Sequence, residues 1–166
     1  MAANKARDLL IVGLRNAHAM ENQAQELMER QSERTGDFPE VQSALRRHLE
    51  ETKQQLRRLE DCLSQLGESE STLKDTAMSA MANLTAMGHA MAGDEILKNA
   101  FADSAFEHYE IAAYKSLLTL CKHAGIDLST PLQASLREEE AMAEWIDNRI
   151  EDVTLQYLAK EEREAA

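Results

Sequence analysis

The sequence predicts an all-α protein built as a bundle of four long helices, and three observations carry that prediction. Breakers are scarce: 6 Gly and 2 Pro among 166 residues leave long uninterrupted stretches. The chain is rich in Ala, Leu, Glu, Arg and Met, which favour helix, and aromatic residues make up 4 % of it. Apolar residues, 43 % of the total, recur at steps of three and four, the spacing that lines one face of a helix. The length suits a single domain over residues 1–166 with a core of its own.

The first helix is expected over about residues 4–34, with Leu10, Leu14, Ala17, Ala24 and Met28 inward. Thr35-Gly36-Asp37 ends it, with Gly36 placed at the C′ position. The second, about 39–66, opens at Pro39 and carries the seam Val41, Leu45, Leu49, Thr52, Leu56, Leu59, Leu63, Leu66. A shorter helix is expected at about 71–87, where Met78, Met81, Leu84 and Met87 form a stripe suited to packing on the bundle or on another subunit. Gly88 to Gly93 then breaks the pattern. The third long helix, about 94–124, stops before Gly125. The fourth, about 131–160, follows Ser129-Thr130-Pro131, a hydroxyl N-cap with Pro in the first turn. The charged end at 161–166 is expected to fray.

Short turns make hairpins of the first and last pairs, whereas the long middle connection has the length to cross from one end of the bundle to the other. That is the topology of ferritin-like bundles, here with a short extra helix in the crossover.

The formal charge of −12 argues against binding nucleic acid or anionic membrane. No apolar run approaches the roughly 20 residues of a membrane span, and the N-terminus lacks a signal-peptide pattern, so a cytoplasmic protein is expected. Cys62 and Cys121 form no disulfide framework; Cys121 reads as a buried thiol and Cys62 as part exposed.

Glu21, Glu107 and Glu139 each interrupt the middle of an apolar stripe, within roughly 60° of their apolar neighbours on the helix. Buried carboxylates need a cationic partner or a metal. Arg15, Arg46 and Lys115 are the candidate partners if the role is structural. Ferritin-like di-metal sites instead take one Glu from each of two helices and a Glu-x-x-His pair from each of the others. This chain offers His18/Glu21, His48/Glu51, Glu107/Glu110 and Glu138-Glu139-Glu140. The candidate ligands are Glu21, Glu51, Glu107, Glu110, Glu139 and His48. His48 lies about 60° off the second seam and Glu51 about 120°. The histidines of the two Glu-x-x-His pairs are missing, with Gln54 and Met142 in their places. His18 and His108 are expected as neighbours of the site or on the surface, and Tyr114 as a core residue or a hydrogen-bonding neighbour.

The segments Ala19–Gln23, His48–Thr52 and Glu107–Tyr114, together with Leu136–Glu139, resemble the YciF-like family of bacterial ferritin-like proteins over nearly the whole chain. His108-Tyr109-Glu110-Ile111-Ala112 is the most specific part. The resemblance implies a fold related to rubrerythrin, a di-metal centre, an association with stress responses, and a homodimer. Glu107 and Glu110 are similar to the paired glutamates of the third rubrerythrin bundle helix, and Glu21 to the single Glu of the first. The expectation is therefore two iron or manganese ions that meet O₂ or peroxide in oxidative-stress defence. Its rivals are a non-enzymatic helical stress protein whose metal site is degenerate or structural, and iron storage in a shell.

Overall fold

The computed structural model describes residues 2–68 and 96–165, so the short helix expected at 71–87 and its Met78/Met81/Leu84/Met87 stripe lie outside the described residues. Within them the chain forms α1 (Ala2–Arg34), α2 (Pro39–Gln65), α3 (Ile96–Ala124) and α4 (Ser129–Glu164). Each helix buries a row at steps of three and four. On α1 the row is Leu10, Leu14, Ala17, Glu21, Ala24, Met28 and Gln31; on α3 it is Glu107, Glu110, Tyr114, Leu117 and Cys121.

The helix ends depart from expectation in three places. Gly36 takes no left-handed backbone. Thr35 ends α1 instead, because its backbone N–H and its hydroxyl both donate to the Gln31 carbonyl, at 3.1 and 3.0 Å. α4 begins at Ser129, two residues early, with Leu128 at the N-cap. Its cap comes from Asp127, whose Oδ1 accepts from the Ser129 hydroxyl at 2.6 Å and its N–H at 3.3 Å. α4 also runs on through Glu164, so residues 161–164 are helical rather than frayed, with Lys160 Nζ holding Asp37 at 2.6 Å. The other two ends are glycine caps. Gly67 (φ +83°) and Gly125 (φ +68°) each close a Schellman motif by a crossed pair of bonds: Glu68 N–H to Leu63 O at 3.1 Å with Gly67 N–H to Ser64 O at 3.0 Å, and Ile126 N–H to Cys121 O at 3.1 Å with Gly125 N–H to Lys122 O at 3.4 Å.

The helices form a ring in the order α1, α2, α4, α3, each antiparallel to its neighbours. Arg7 donates to the Leu66 carbonyl at 2.9 Å, placing the end of α2 beside the start of α1. Gln31 donates to Asp103 at 2.8 Å, placing the start of α3 beside the end of α1. The connection between α2 and α3 therefore joins opposite ends of a bundle about 40 Å long, as the length of that connection predicts. α1 and α3 approach closely at Gly13, where a Cβ would stand 2.8 Å from Leu117 Cδ2. Leu10, Leu14, Leu59, Leu63 and Leu132 fill one end of the core, and Phe38, Ile96 and Val153 close the other. Cys62 is buried like Cys121, both as free thiols, contrary to its expected partial exposure. Burial raises the Cys62 thiol to about 11, so it behaves as a small apolar side chain.

Candidate metal centre

Between those two apolar ends lies a polar layer. Glu21 comes from α1, His48, Thr52 and Gln55 from α2, Glu107, Glu110 and Tyr114 from α3, and Ser135 and Glu139 from α4. All lie on the inward rows, and none is more than 5 % exposed. One potential ligand atom from each of His48, Glu107, Glu110 and Glu139 lies within 4.8 Å of the others.

His48 organises one side of the layer. Its Nδ1 is 2.9 Å from Glu51 Oε2, and its Nε2 is 3.3 Å from Glu107 Oε2 and 3.2 Å from Glu139 Oε2. Burial alone would lower the imidazole pKa. The bonds to Glu107, Glu139 and Glu51 outweigh it and hold His48 well above the ordinary histidine range. Glu51 is drawn below the ordinary carboxylate range by the same bond. Glu51 thus stands outside the group of four, half-buried against Nδ1, where it fixes the direction in which Nε2 points.

The other side is held by neutral donors. Tyr114 Oη donates to Glu21 Oε1 at 2.6 Å. Gln55 Nε2 donates to Glu139 Oε1, and to Glu138 Oε2 at 3.1 Å. Glu138 is gripped by both terminal nitrogens of Arg58, at 2.6 and 2.9 Å. Burial, followed by the charge of Glu139, pushes Glu21 and Glu110 well above the usual carboxylate range. Burial likewise raises Glu139 to about 7, with His48 opposing.

This donor set fits a metal. Among the described residues, Glu21 Oε2 and Glu110 Oε1 are buried with no hydrogen-bond partner, and Glu107 Oε2 and Glu139 Oε2 have the His48 ring as their cationic neighbour. Such oxygens are costly unless a proton or a cation occupies the space between them. The cations proposed for a purely structural role are engaged elsewhere or exposed: Arg15 pairs with Glu68, Lys115 with Glu140 at 2.9 Å, and Arg46 faces solvent. Carboxylates with one imidazole suit iron, manganese or zinc.

Of the six ligands expected, the structure brings His48, Glu107, Glu110 and Glu139 together, sets Glu21 in the same layer on Tyr114, and leaves Glu51 behind the imidazole. His18 sits at the rim with Glu60 at 3.2 Å, and His108 is exposed with Nδ1 2.8 Å from the Ser104 carbonyl. Gln54 is exposed and Met142 belongs to the apolar core, so neither replaces a histidine. The sequence reading placed Thr52 on the inward seam but left Gln55 off it, and it missed the Arg58–Glu138 pair. The signal for Gln55 was the row His48, Thr52, Gln55, Leu59, which keeps the steps of four and three.

Two solved structures share the architecture. A protein from Xanthomonas campestris pv. campestris is 29 % identical, with a TM-score of 0.78 over 95 % of this chain and 99 % of that one. YcfI from Rhodopseudomonas palustris, whose description proposes a structural role, is 25 % identical, with a TM-score of 0.67 over 86 % and 92 %. Residues 5–159, which include every side chain of the polar layer, match one family, and the chain belongs to it: the domain of unknown function DUF892.

Proposed function

We propose that the polar layer is a di-metal centre, holding iron or manganese, in a YciF-like stress protein related to rubrerythrin. The observation that carries this reading is the set of buried carboxylate oxygens without hydrogen-bond partners around His48. His48 Nε2, Glu107, Glu110 and Glu139, with Glu21 in the same layer, would hold the ions. Ions bound there would supply redox chemistry toward O₂ or peroxide.

The chain's own groups prepare that chemistry. Glu51 takes the Nδ1 proton of His48 in a hydrogen bond, so Nε2 is the nitrogen presented inward. Tyr114 occupies Glu21 Oε1 and leaves Oε2 free. Gln55, steadied through Glu138 by Arg58, does the same for Glu139. Loading displaces protons from His48 Nε2 and from the carboxyl groups whose pKa burial has raised, so uptake acidifies the medium. The apolar ends of the core keep bulk water out.

A second reading, a helical stress protein whose site is structural or degenerate, draws on the missing histidines at Gln54 and Met142 and on the role proposed for YcfI. Elemental analysis after reconstitution with Fe²⁺ or Mn²⁺ tests the first reading. About two ions per chain are expected, with a loss of at least one in Glu107→Ala and Glu139→Ala. Wild-type protein that retains no more than trace metal would sink it. Peroxidase or ferroxidase turnover that disappears with a chelator separates an active centre from a structural one. We further expect a cytoplasmic homodimer.

A further inference from the structure

A small cavity lies one helical turn from the metal centre, toward the end of the bundle where α1 stops and α3 starts. Gln31, Leu45, Asp103, Met142, Trp145 and Arg149 are among its walls. It leaves ≈ 20 Å³ for water-sized occupants, about enough for one water or one ion. Its position follows from helix geometry. Leu45 precedes His48, Asp103 precedes Glu107 and Met142 follows Glu139, each by three or four residues. The cavity floor is therefore about 5 Å along the bundle from the ligands.

The walls are mostly apolar, which makes two polar groups conspicuous. Gln31 is 8 % exposed, and its Nε2 donates to Asp103 Oδ1 at 2.8 Å. In its ionised form Asp103 accepts and does not donate, so this bond fixes the amide with its nitrogen toward Asp103. The Oε1 atom is then left buried with no hydrogen-bond partner among the described residues. A carboxylate and an orphaned amide oxygen side by side are hard oxygen donors without a cation. Arg149 does not supply it: its guanidinium pairs with Asp152 at 3.2 Å and Glu40 at 3.6 Å and stands 5.9 Å over the Trp145 ring. Burial raises the Asp103 carboxyl to about 7, with the Gln31 bond and His48 opposing, so it too lacks a strong positive neighbour.

We propose that Gln31 and Asp103 form a transfer site at which a divalent cation binds weakly before passing inward to His48, Glu107 and Glu139. The proposal rests on the metal reading of the centre. Two protein oxygens leave most of the ion's coordination to water, so the stay is brief, and the full ligand set lies one turn deeper.

The test is stopped-flow loading of metal-free protein with Co²⁺, followed by its visible absorption, with final stoichiometry measured separately. Asp103→Asn keeps the shape and an acceptor for Gln31. It is expected to slow loading about tenfold, or about 1.4 kcal/mol in the barrier, with the final stoichiometry unchanged. Gln31→Leu removes the orphaned oxygen by another route and is expected to slow loading in the same direction. Asp103→Glu, which restores the charge, is expected to load near the wild-type rate. Wild-type rates in both Asp103→Asn and Gln31→Leu would overturn the transfer site. A lower final stoichiometry in Asp103→Asn would also overturn it, by making Asp103 a resident ligand. Wild-type protein that takes up no Co²⁺ at equilibrium would instead remove the metal reading on which the proposal depends.

Discussion

His48 and Tyr114 reach into the same polar layer from opposite sides, and they stabilise buried carboxylates by different means. Around His48 the arrangement is ionic: one imidazolium stands among Glu51, Glu107 and Glu139. Around Tyr114 it is neutral: a phenol and an amide donate to Glu21 and Glu139, while burial drives Glu21 and Glu110 toward their protonated forms. On the ionic side Glu107 Oε2 and Glu139 Oε2 are also without a hydrogen bond among the described residues, but the His48 charge stands 3.3 and 3.2 Å from them. The neutral side leaves Glu21 Oε2, Glu110 Oε1 and Gln55 Oε1 buried and unpartnered. A bundle can thus carry the same acidic residues either as an internal salt or as stored protons, and the second form exchanges most readily for a metal.

The largest effect expected from breaking this comparison is at His48. His48→Ala leaves Glu107 and Glu139 facing each other with no cation, and should cost the metal-free protein about 3–5 kcal/mol in urea unfolding. Tyr114→Phe removes one hydroxyl and keeps the ring. With Glu21 Oε1 then short of a donor, about 1–3 kcal/mol should be lost. If the phenol deletion proved the costlier of the two, the division into an ionic and a neutral side would fail.

The most gradual effect is a pH dependence at Asp103, which faces Gln31 from α1, His48 from α2 and Arg149 from α4. Its folded pKa, about 7, is above the ordinary 3.8, so its contribution to stability is full below about pH 4 and is lost as pH rises through 7. Asp103→Asn should therefore gain stability relative to wild type between pH 4 and 7, by at most about 1.4 kcal/mol per pH unit, and stay level above about pH 8. Paired urea titrations at several pH values measure that gap. A constant gap would place Asp103 in ordinary solvent contact and separate it from the electrostatics of the His48 side.

Much of this was legible in the sequence, and what was not has a physical cause. Glu21, Glu107 and Glu139 stood out because a charge amid an apolar row is costly wherever the row is buried. The α2 face was read in part: Leu45, Thr52, Leu56, Leu59 and Leu63 are buried as the seam predicts. A seam drawn through apolar residues passes through Leu49 and Leu66, which are partly exposed, and skips Gln55, which is fully buried. That rule cannot find a buried polar row, because it defines the inside by hydrophobicity. Glu51, about 120° off that seam, was paired with His48 by its spacing, and it stands against the Nδ1 of that ring. The Arg58–Glu138–Gln55 chain was out of reach for another reason: its members are 80 and 83 residues apart, and nothing local marks them as neighbours. At the helix ends, a glycine was weighed above the threonine beside it, whose hydroxyl closes α1.

The polar layer is also divided between the two hairpins. Glu21 and His48 lie on the α1–α2 hairpin, and Glu107, Glu110 and Glu139 on the α3–α4 hairpin. An ion held in the layer acts as a rivet through both, and neither hairpin alone carries the set. Each tenfold rise in free metal above the dissociation constant then adds about 1.4 kcal/mol to the folded state. If the layer holds a metal, its supply would set how long a molecule survives proteolysis, and the cellular level of this protein would report on that supply.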